Sequence, residues 1–335
     1  MSIIIPSHYE NPLDVRQTQI AIKKVKDFFE QDLAIQLNLT RVSAPLFVRR
    51  DSGLNDTLNG VERPVAFDLM EEPDTTYEIV QSLAKWKRFA LGEYGFEPGE
   101  GLYTDMSAIR RDEVRDNLHS CYVDQWDWER VITREARNEE TLKRMVRRVY
   151  RALRHTEAYI LREYHFSEPF LPKEIAFVTT QELEDRFPDQ TPRQRETLIA
   201  KEKGAVFVMQ IGGALKSGQI HDGRAPDYDD WTLNGDIIIY YPILDMALEL
   251  SSMGIRVDED ALLRQLRIRG MEENAKLPFQ QALLQHRLPY TVGGGIGQSR
   301  ICMFFLRKAH VGEVQVGAWS EEDRAACKAC GIHLL

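Results

Sequence analysis

The chain has 335 residues, 43% of them hydrophobic, enough to bury one large core or two modest ones. Its formal charge of -9 argues against a broad nucleic-acid footprint while leaving room for local basic pockets. No apolar run approaches a membrane span, no basic region precedes a long apolar stretch at the N-terminus, and four cysteines are too few for a disulfide framework, so the chain reads as cytosolic with no membrane partner.

In chain order, apolar side chains at Ile20, Ile22, Val25, Phe28, Phe29 and Leu33 between charges predict an amphipathic helix over 14–36. An extended segment follows over Leu39–Val48, with Pro45 near its end where a sheet edge tolerates proline. A polar loop from Arg49 to Gly60, short strands at Val65–Leu69 and Tyr77–Val80, and a helix over Leu83–Leu91 come next. Two strand-like runs flank a charged turn from Arg110 to His119, and Glu139–Tyr164 reads as a long helix leading into mixed structure. The last third alternates strand-like runs, Ala205–Ile211, Asp236–Tyr241 and Ala247–Val257, with helices and a glycine-rich turn. No repeat or long linker divides the chain, so we read one domain over 1–335 with peripheral tails at 1–11 and about 325–335. Strands joined by hairpin-like turns, with helices segregated elsewhere, predict an α+β fold around a largely antiparallel sheet.

Three stretches carry chemistry. Thr291-Val-Gly-Gly-Gly-Ile-Gly-Gln-Ser-Arg300 runs glycines into an arginine and an apolar helical run, a pattern that lets backbone N–H groups, a helix N-terminus and a guanidinium meet an anion. It is neither a P-loop nor a dinucleotide fingerprint, and a tight strand-to-helix turn gives the same pattern. In Tyr122–Glu129, strand parity sets Gln125, Asp127 and Glu129 on one polar face, which suits either a site wall or a solvated sheet surface. Glu249 stands inside an apolar run with Ser251 on its side, and Asp236 opens the preceding strand. If those strands form a hairpin, the two carboxylates could hold Mg2+ beside nucleotide phosphates. The Arg110-Arg111-Asp112-Glu113 tip could reach a ligand, the density of charge in Arg224–Trp231 suits amino-acid recognition, and Lys87 could pair with a substrate carboxylate. Cys327-x-x-Cys330-x-x-His333 lacks a fourth metal ligand and reads as two reduced thiols with no assigned role.

Ser82–Arg88, Gly99–Tyr103, Tyr122–Glu129, Arg224–Trp231, Glu249–Asp258 and Gly293–Arg300 together resemble the ammonia-dependent asparagine synthetases, which in turn resemble the catalytic domain of class II aminoacyl-tRNA synthetases. The resemblance covers nearly the whole chain. It implies a homodimer through the first helix and Pro45 segment, and a reaction of ATP with aspartate to a β-aspartyl-adenylate that ammonia converts to asparagine and AMP. It further implies Arg110, or Arg111, on the adenylating phosphate, Arg300 on the distal phosphates with Gly295 and Gly297 in the ATP site, and Asp236 and Glu249 on Mg2+. Lys87, Gln125, Asp127, Asp229 and Ser251 would bind aspartate, and Asp56 would face the end where ammonia enters. Asp51–Gly60 departs from the family's Gly-Asp-Gly opening, and the family's insertion between Trp231 and Asn234 is missing. A tRNA ligase would bring an anticodon-binding module for which the start of the first helix leaves no room. A glutamine-dependent enzyme would need a cysteine where Ser2 stands.

Overall fold

The computed structural model describes residues 3–7, 9–56, 58 and 62–335. Ser2, and with it Thr57, Asn59 and Gly60 of the expected polar loop, lie outside them. Helix α1 (Val15–Leu37) starts where Asp14 accepts from Gln17 N and the Gln17 side chain accepts in return, which satisfies two orphan donors. It buries Ala21, Val25, Phe29, Leu33 and Leu37, a four-residue spacing that makes one apolar stripe.

The expected extended segment is two strands of different sheets, β1 (Leu39–Arg41) and β2 (Phe47–Arg49), with Pro45 in the link between them. β3 (Ala66–Leu69) and β4 (Glu72–Ile79) complete a three-stranded sheet, β2-β4-β3, held by the rings of Phe47, Phe67 and Tyr77. Helix α2 (Ala84–Glu93) leads to the hairpin of β5 (Gly101–Ile109) and β6 (Tyr122–Val131). The long helix α3 (Glu139–Tyr164) has the predicted bounds and is capped by Asn138. β7 (Ala176–Thr179), α4 (Thr180–Arg186) and α5 (Pro192–Lys203) occupy the stretch read only as mixed structure. β8 (Ala205–Met209), β9 (Asp229–Tyr241), β10 (Met246–Arg256), α6 (Glu259–Arg269) and α7 (Pro278–Leu284) precede β11 (Thr291–Gly297), α8 (Gln298–Phe305) and α9 (Glu321–Ala329).

The main sheet runs β1-β5-β6-β11-β10-β9-β8-β7, antiparallel except for a parallel pair at each edge. One face carries Trp126, Trp128, Met253, Ile255 and Ile296 into the large core built with α1, α3 and α8. The other face packs Val206, Val208 and Ile238 against residues of α4 and α5 at one end and is left open in the middle. The C-terminal segment is not peripheral: Cys327, Ile332 and Leu334 are buried in the main core, while Cys330 is exposed. The described N-terminal residues are tied down as well, Ile4 by Asn117 and Tyr9 and Asn11 by Glu313.

Candidate active site

The glycine-rich stretch is a strand rather than a turn. β11 lies between β6 and β10 in the middle of the sheet, with Gly293 opposite Glu129, Gly295 opposite Asp127 and Gly297 opposite Gln125. None of these glycines has a positive φ, so backbone freedom does not explain them. Space does: a Cβ on Gly293 would fall 2.1 Å from Glu129 Oε2, and one on Gly295 2.6 Å from Gln125 Oε1. The stripe of missing side chains leaves a floor onto which the polar side chains of β6 and β10 lean. Above it opens a cavity of about 370 Å³ whose wall includes Arg110, Gln125, Asp127, Asp229, Glu249, Gly295, Gly297 and Arg300.

Its acidic end is a buried ion network. Arg256 donates to both oxygens of Glu129 at 2.7–3.0 Å and to Asp229 at 2.5 Å, and Thr291 Oγ1 donates to Glu129 at 2.6 Å. Burial pushes the Glu129 carboxyl up, but the Arg256 and Lys87 charges outweigh it and hold the group below the usual carboxylate range. For Asp229 burial wins over Arg256, and its carboxyl is raised. Lys87 is fully buried and does not reach the cavity; its ammonium bonds Asp127 and the Trp128 carbonyl and stands 3.5 Å from Glu129. It fixes the Asp127 carboxylate from behind. Removing the shared cation should be costly: Arg256→Met leaves two buried carboxylates without their guanidinium. We expect a loss of about 3–5 kcal/mol, read as a lower urea midpoint; a loss under about 1 kcal/mol would place the pair among weakly contributing surface bridges.

At the basic end, Arg110 lines the cavity and its buried Nε has no hydrogen-bond partner among the described residues, whereas Arg111 is exposed and outside the wall. The hairpin geometry therefore separates two arginines that the sequence left as alternatives. Arg300 is oriented by the Leu118 carbonyl at 3.3 Å and the Glu249 carbonyl at 3.1 Å, with the Glu249 carboxylate 3.4 Å away.

The metal-type acids require correction in detail. β9 and β10 do form a hairpin, but β9 begins at Asp229, so Asp236 sits mid-strand, opposite Ser252. Glu249 opposes Ile238 and is not buried, its side chain being 44% exposed. A bulge between Glu249 and Ser251 shifts the strand by one residue. Consequently Ser252, not Ser251, faces the cavity with Glu249, and Ser251 is buried with its hydroxyl unpaired among the described residues. Asp236 is buried behind Arg224, which bonds its Oδ2 and also Asp222, while Oδ1 has no hydrogen-bond partner among the described residues. Burial raises the Asp236 carboxyl, opposed by Arg224 and reinforced by Glu249. Burial likewise works against the Arg224 charge, but Asp236, Asp222 and Glu249 outweigh it.

Asp56 is buried beside the cavity rather than on its wall, to which Leu58 and Glu62 contribute. Sequence reasoning left Arg224, Tyr228, Ser252 and Arg256 off the site. A strand-terminal arginine seven residues past a glutamate in an apolar run was the available signal for Arg256, and the charge density of 224–231 the signal for Arg224 and Tyr228.

An open antiparallel sheet with a glycine-floored, arginine-lined cavity on one face is the catalytic fold of the class II aminoacyl-tRNA synthetases. Asparaginyl-tRNA synthetase from Entamoeba histolytica, solved in complex with asparaginyl-adenylate, superposes with a TM-score of 0.63 at 14% identity over 90% of this chain and 66% of that one. The Pyrococcus horikoshii enzyme, also complexed with asparaginyl-adenylate, gives 0.56 at 16% over 90% and 69%. Within that fold the chain belongs to the aspartate–ammonia ligase family, whose model matches residues 16–331. It is 62% identical to the aspartate–ammonia ligase of Clostridium perfringens over 99% of both chains and 55% identical to that of Levilactobacillus brevis over the full length of both. It is accordingly a ligase that makes asparagine from aspartate, ammonia and ATP. Among the described residues no helix is long and apolar enough to cross a membrane.

Proposed function

We propose that the ligase works through a β-aspartyl-adenylate formed and consumed in this cavity. The observation that carries the reading is a single cavity lined by Arg110 and Arg300 toward the Gly297–Gln125 end of β11 and by Asp229 toward the Gly293–Glu129 end, with Asp127 between, across a floor without side chains. The arginines suit a triphosphate, and the acids suit the α-ammonium group of an amino acid. The relatives of the same fold hold asparaginyl-adenylate.

In the first step a β-carboxylate oxygen forms a bond to the α-phosphorus as the bond to pyrophosphate breaks. Arg110 neutralises charge on the phosphoryl group and Arg300 holds the departing phosphates. In the second step ammonia bonds the acyl carbon, the carbon–oxygen bond to AMP breaks, and the one surplus proton on nitrogen leaves toward the Asp56 carboxylate. Gln125, Asp127 and Asp229 contact aspartate, Lys87 acts through Asp127, Ser251 backs the floor and Gly295 and Gly297 admit the nucleotide. Asp236 and Glu249 fit Mg2+: both are hard oxygen donors, and Asp236 Oδ1 is a buried acceptor with no partner among the described residues. When bound there, Mg2+ would neutralise triphosphate charge.

We also propose a cytoplasmic homodimer through α1 and the Pro45 link, where Ile35 and Leu46 are 76% and 53% exposed. The function itself is tested by incubating the protein with ATP, Mg2+, aspartate and ammonium and separating the products. AMP and pyrophosphate should appear with asparagine; ADP and phosphate in their place would exclude adenylation.

A further inference from the structure

The described residues ahead of α1 are fastened to two segments that both contribute to the cavity wall. Asn117, buried in the link between β5 and β6 and not itself on the wall, donates its Nδ2 to the carbonyls of Ile4 and Ala309, each at 2.8 Å, and accepts the Ile4 N–H on its Oδ1 at 2.7 Å. It pairs both backbone groups of Ile4 as a neighbouring strand would, and turning its carboxamide over would set oxygen against two carbonyls. The Asn117 carbonyl in turn accepts the Val311 N–H at 2.8 Å. Farther along the same segment, Tyr9 and Asn11 donate to the buried Glu313 carboxylate at 2.9 and 3.0 Å, and that carboxylate also takes the N–H groups of Ala309 and His310 at 2.9 and 3.1 Å.

What this strap holds is a turn beside Arg300. Asp116 Oδ1 accepts from the N–H groups of Leu118 and His119 at 2.8 and 2.9 Å, so residues 116–119 are closed on themselves and move as a unit. Asn117 carries the buried ties of that unit to the strap, to Ala309 and to Val311, and Arg115 adds an exposed one to the Ala318 carbonyl. The Leu118 carbonyl, one residue on, accepts from Arg300 Nε at 3.3 Å, and Leu118, His119 and Val311 all line the cavity. A displacement of Asn117 therefore moves the carbonyl that orients one side of the guanidinium and leaves the other side to Glu249.

We infer that Asn117 is a positioning residue for nucleotide binding: through it the segment ahead of α1 seats the 116–119 turn, and with that turn Arg300. The inference rests on the phosphate role proposed for Arg300 above. The proposed aspartate contacts Gln125, Asp127 and Asp229 are carried by β6 and β9, within the sheet, so loosening the turn weakens nucleotide binding and spares aspartate.

The test is steady-state kinetics with ATP and aspartate varied in turn at saturating ammonium, alongside urea unfolding. Ile4→Pro removes the N–H that Asn117 accepts, at an exposed position off the cavity wall, and Asn117→Ala removes all three side-chain bonds. We expect each to raise the KM for ATP about tenfold while the KM for aspartate stays within about twofold of the unmodified value. Together they should cost no more than Asn117→Ala alone, because both break the same contact. A lower urea midpoint with an unchanged KM for ATP, a parallel rise in both KM values, or additive effects in the double variant would overturn the inference; Ile4→Pro carries the test where Asn117→Ala does not fold. Arg300→Ala is the reference. An unchanged KM for ATP there would overturn the phosphate role of Arg300 and the inference with it, whereas a raised KM at Arg300 with none at Asn117 or Ile4 would overturn the positioning role alone.

Discussion

Arg110→Ala should lower the rate of aspartate-dependent adenylate formation by about a thousandfold, the range found when a donor to developing charge in a dry site is lost. The residue lies at the end of β5, on the cavity wall, with its Nε buried and without a partner among the described residues. A guanidinium held so, with no carboxylate paired to it among the described residues, has its donors available to an incoming phosphate. Arg111→Ala, at an exposed position outside the wall, should leave that rate close to the unmodified value. Pyrophosphate exchange measured on both variants checks the pair. Comparable losses, or a loss of less than about tenfold at Arg110, would move the phosphate contact elsewhere.

Asp56→Asn should divide the reaction. Adenylate formation, trapped with hydroxylamine, should persist, while synthesis with ammonium should fall by on the order of a hundredfold or more. Burial, opposed by Lys85 and reinforced by Asp227, lifts the Asp56 carboxyl from 3.8 to about 7. Below about pH 7 the group is protonated and takes no proton from ammonium, so ammonium-dependent synthesis should rise as pH rises through that value. The variant should lack this limb. Stability should move the other way: the folded carboxyl binds its proton more tightly than the unfolded one, so the stability it contributes is lost as pH rises from 3.8 to about 7. Above that range Asp56→Asn should be more stable than the unmodified protein, as measured by urea unfolding. Parallel loss of both half-reactions would make Asp56 an aspartate binder or a structural residue.

The helices with strong local signals were legible: α3 carries an asparagine cap, an acidic first turn and an unbroken apolar stripe, and its bounds follow. The polar parity of β6 was legible because two tryptophans on the opposite face demand a core. What escaped depends on neighbours rather than on local pattern. The glycines of β11 read as a turn because nothing in the strand itself discloses that Glu129 and Gln125 from the next strand fill their space. The bulge that exchanges Ser252 for Ser251 leaves no mark in a run whose parity otherwise continues. Lys87 was expected at the substrate because a lysine in an α2-type helix shows its charge and not its depth; only the packed sheet reveals it behind Asp127. α4 and α5 were within reach, since Thr179 with Glu182 and Thr191 with Gln194 both form capping boxes.

The transfer of one oxygen atom tests the central claim most directly. If the β-carboxylate of aspartate attacks the α-phosphorus and ammonia later breaks the carbon–oxygen bond, aspartate labelled with 18O in its β-carboxylate must leave a single labelled oxygen on the phosphoryl group of AMP. Mass spectrometry of AMP from a single turnover reads this without ambiguity from exchange. The account predicts AMP carrying one 18O and asparagine retaining the other. Unlabelled AMP, with the second labelled oxygen recovered in phosphate or in water, would contradict the adenylate and with it the roles given to Arg110 and Arg300.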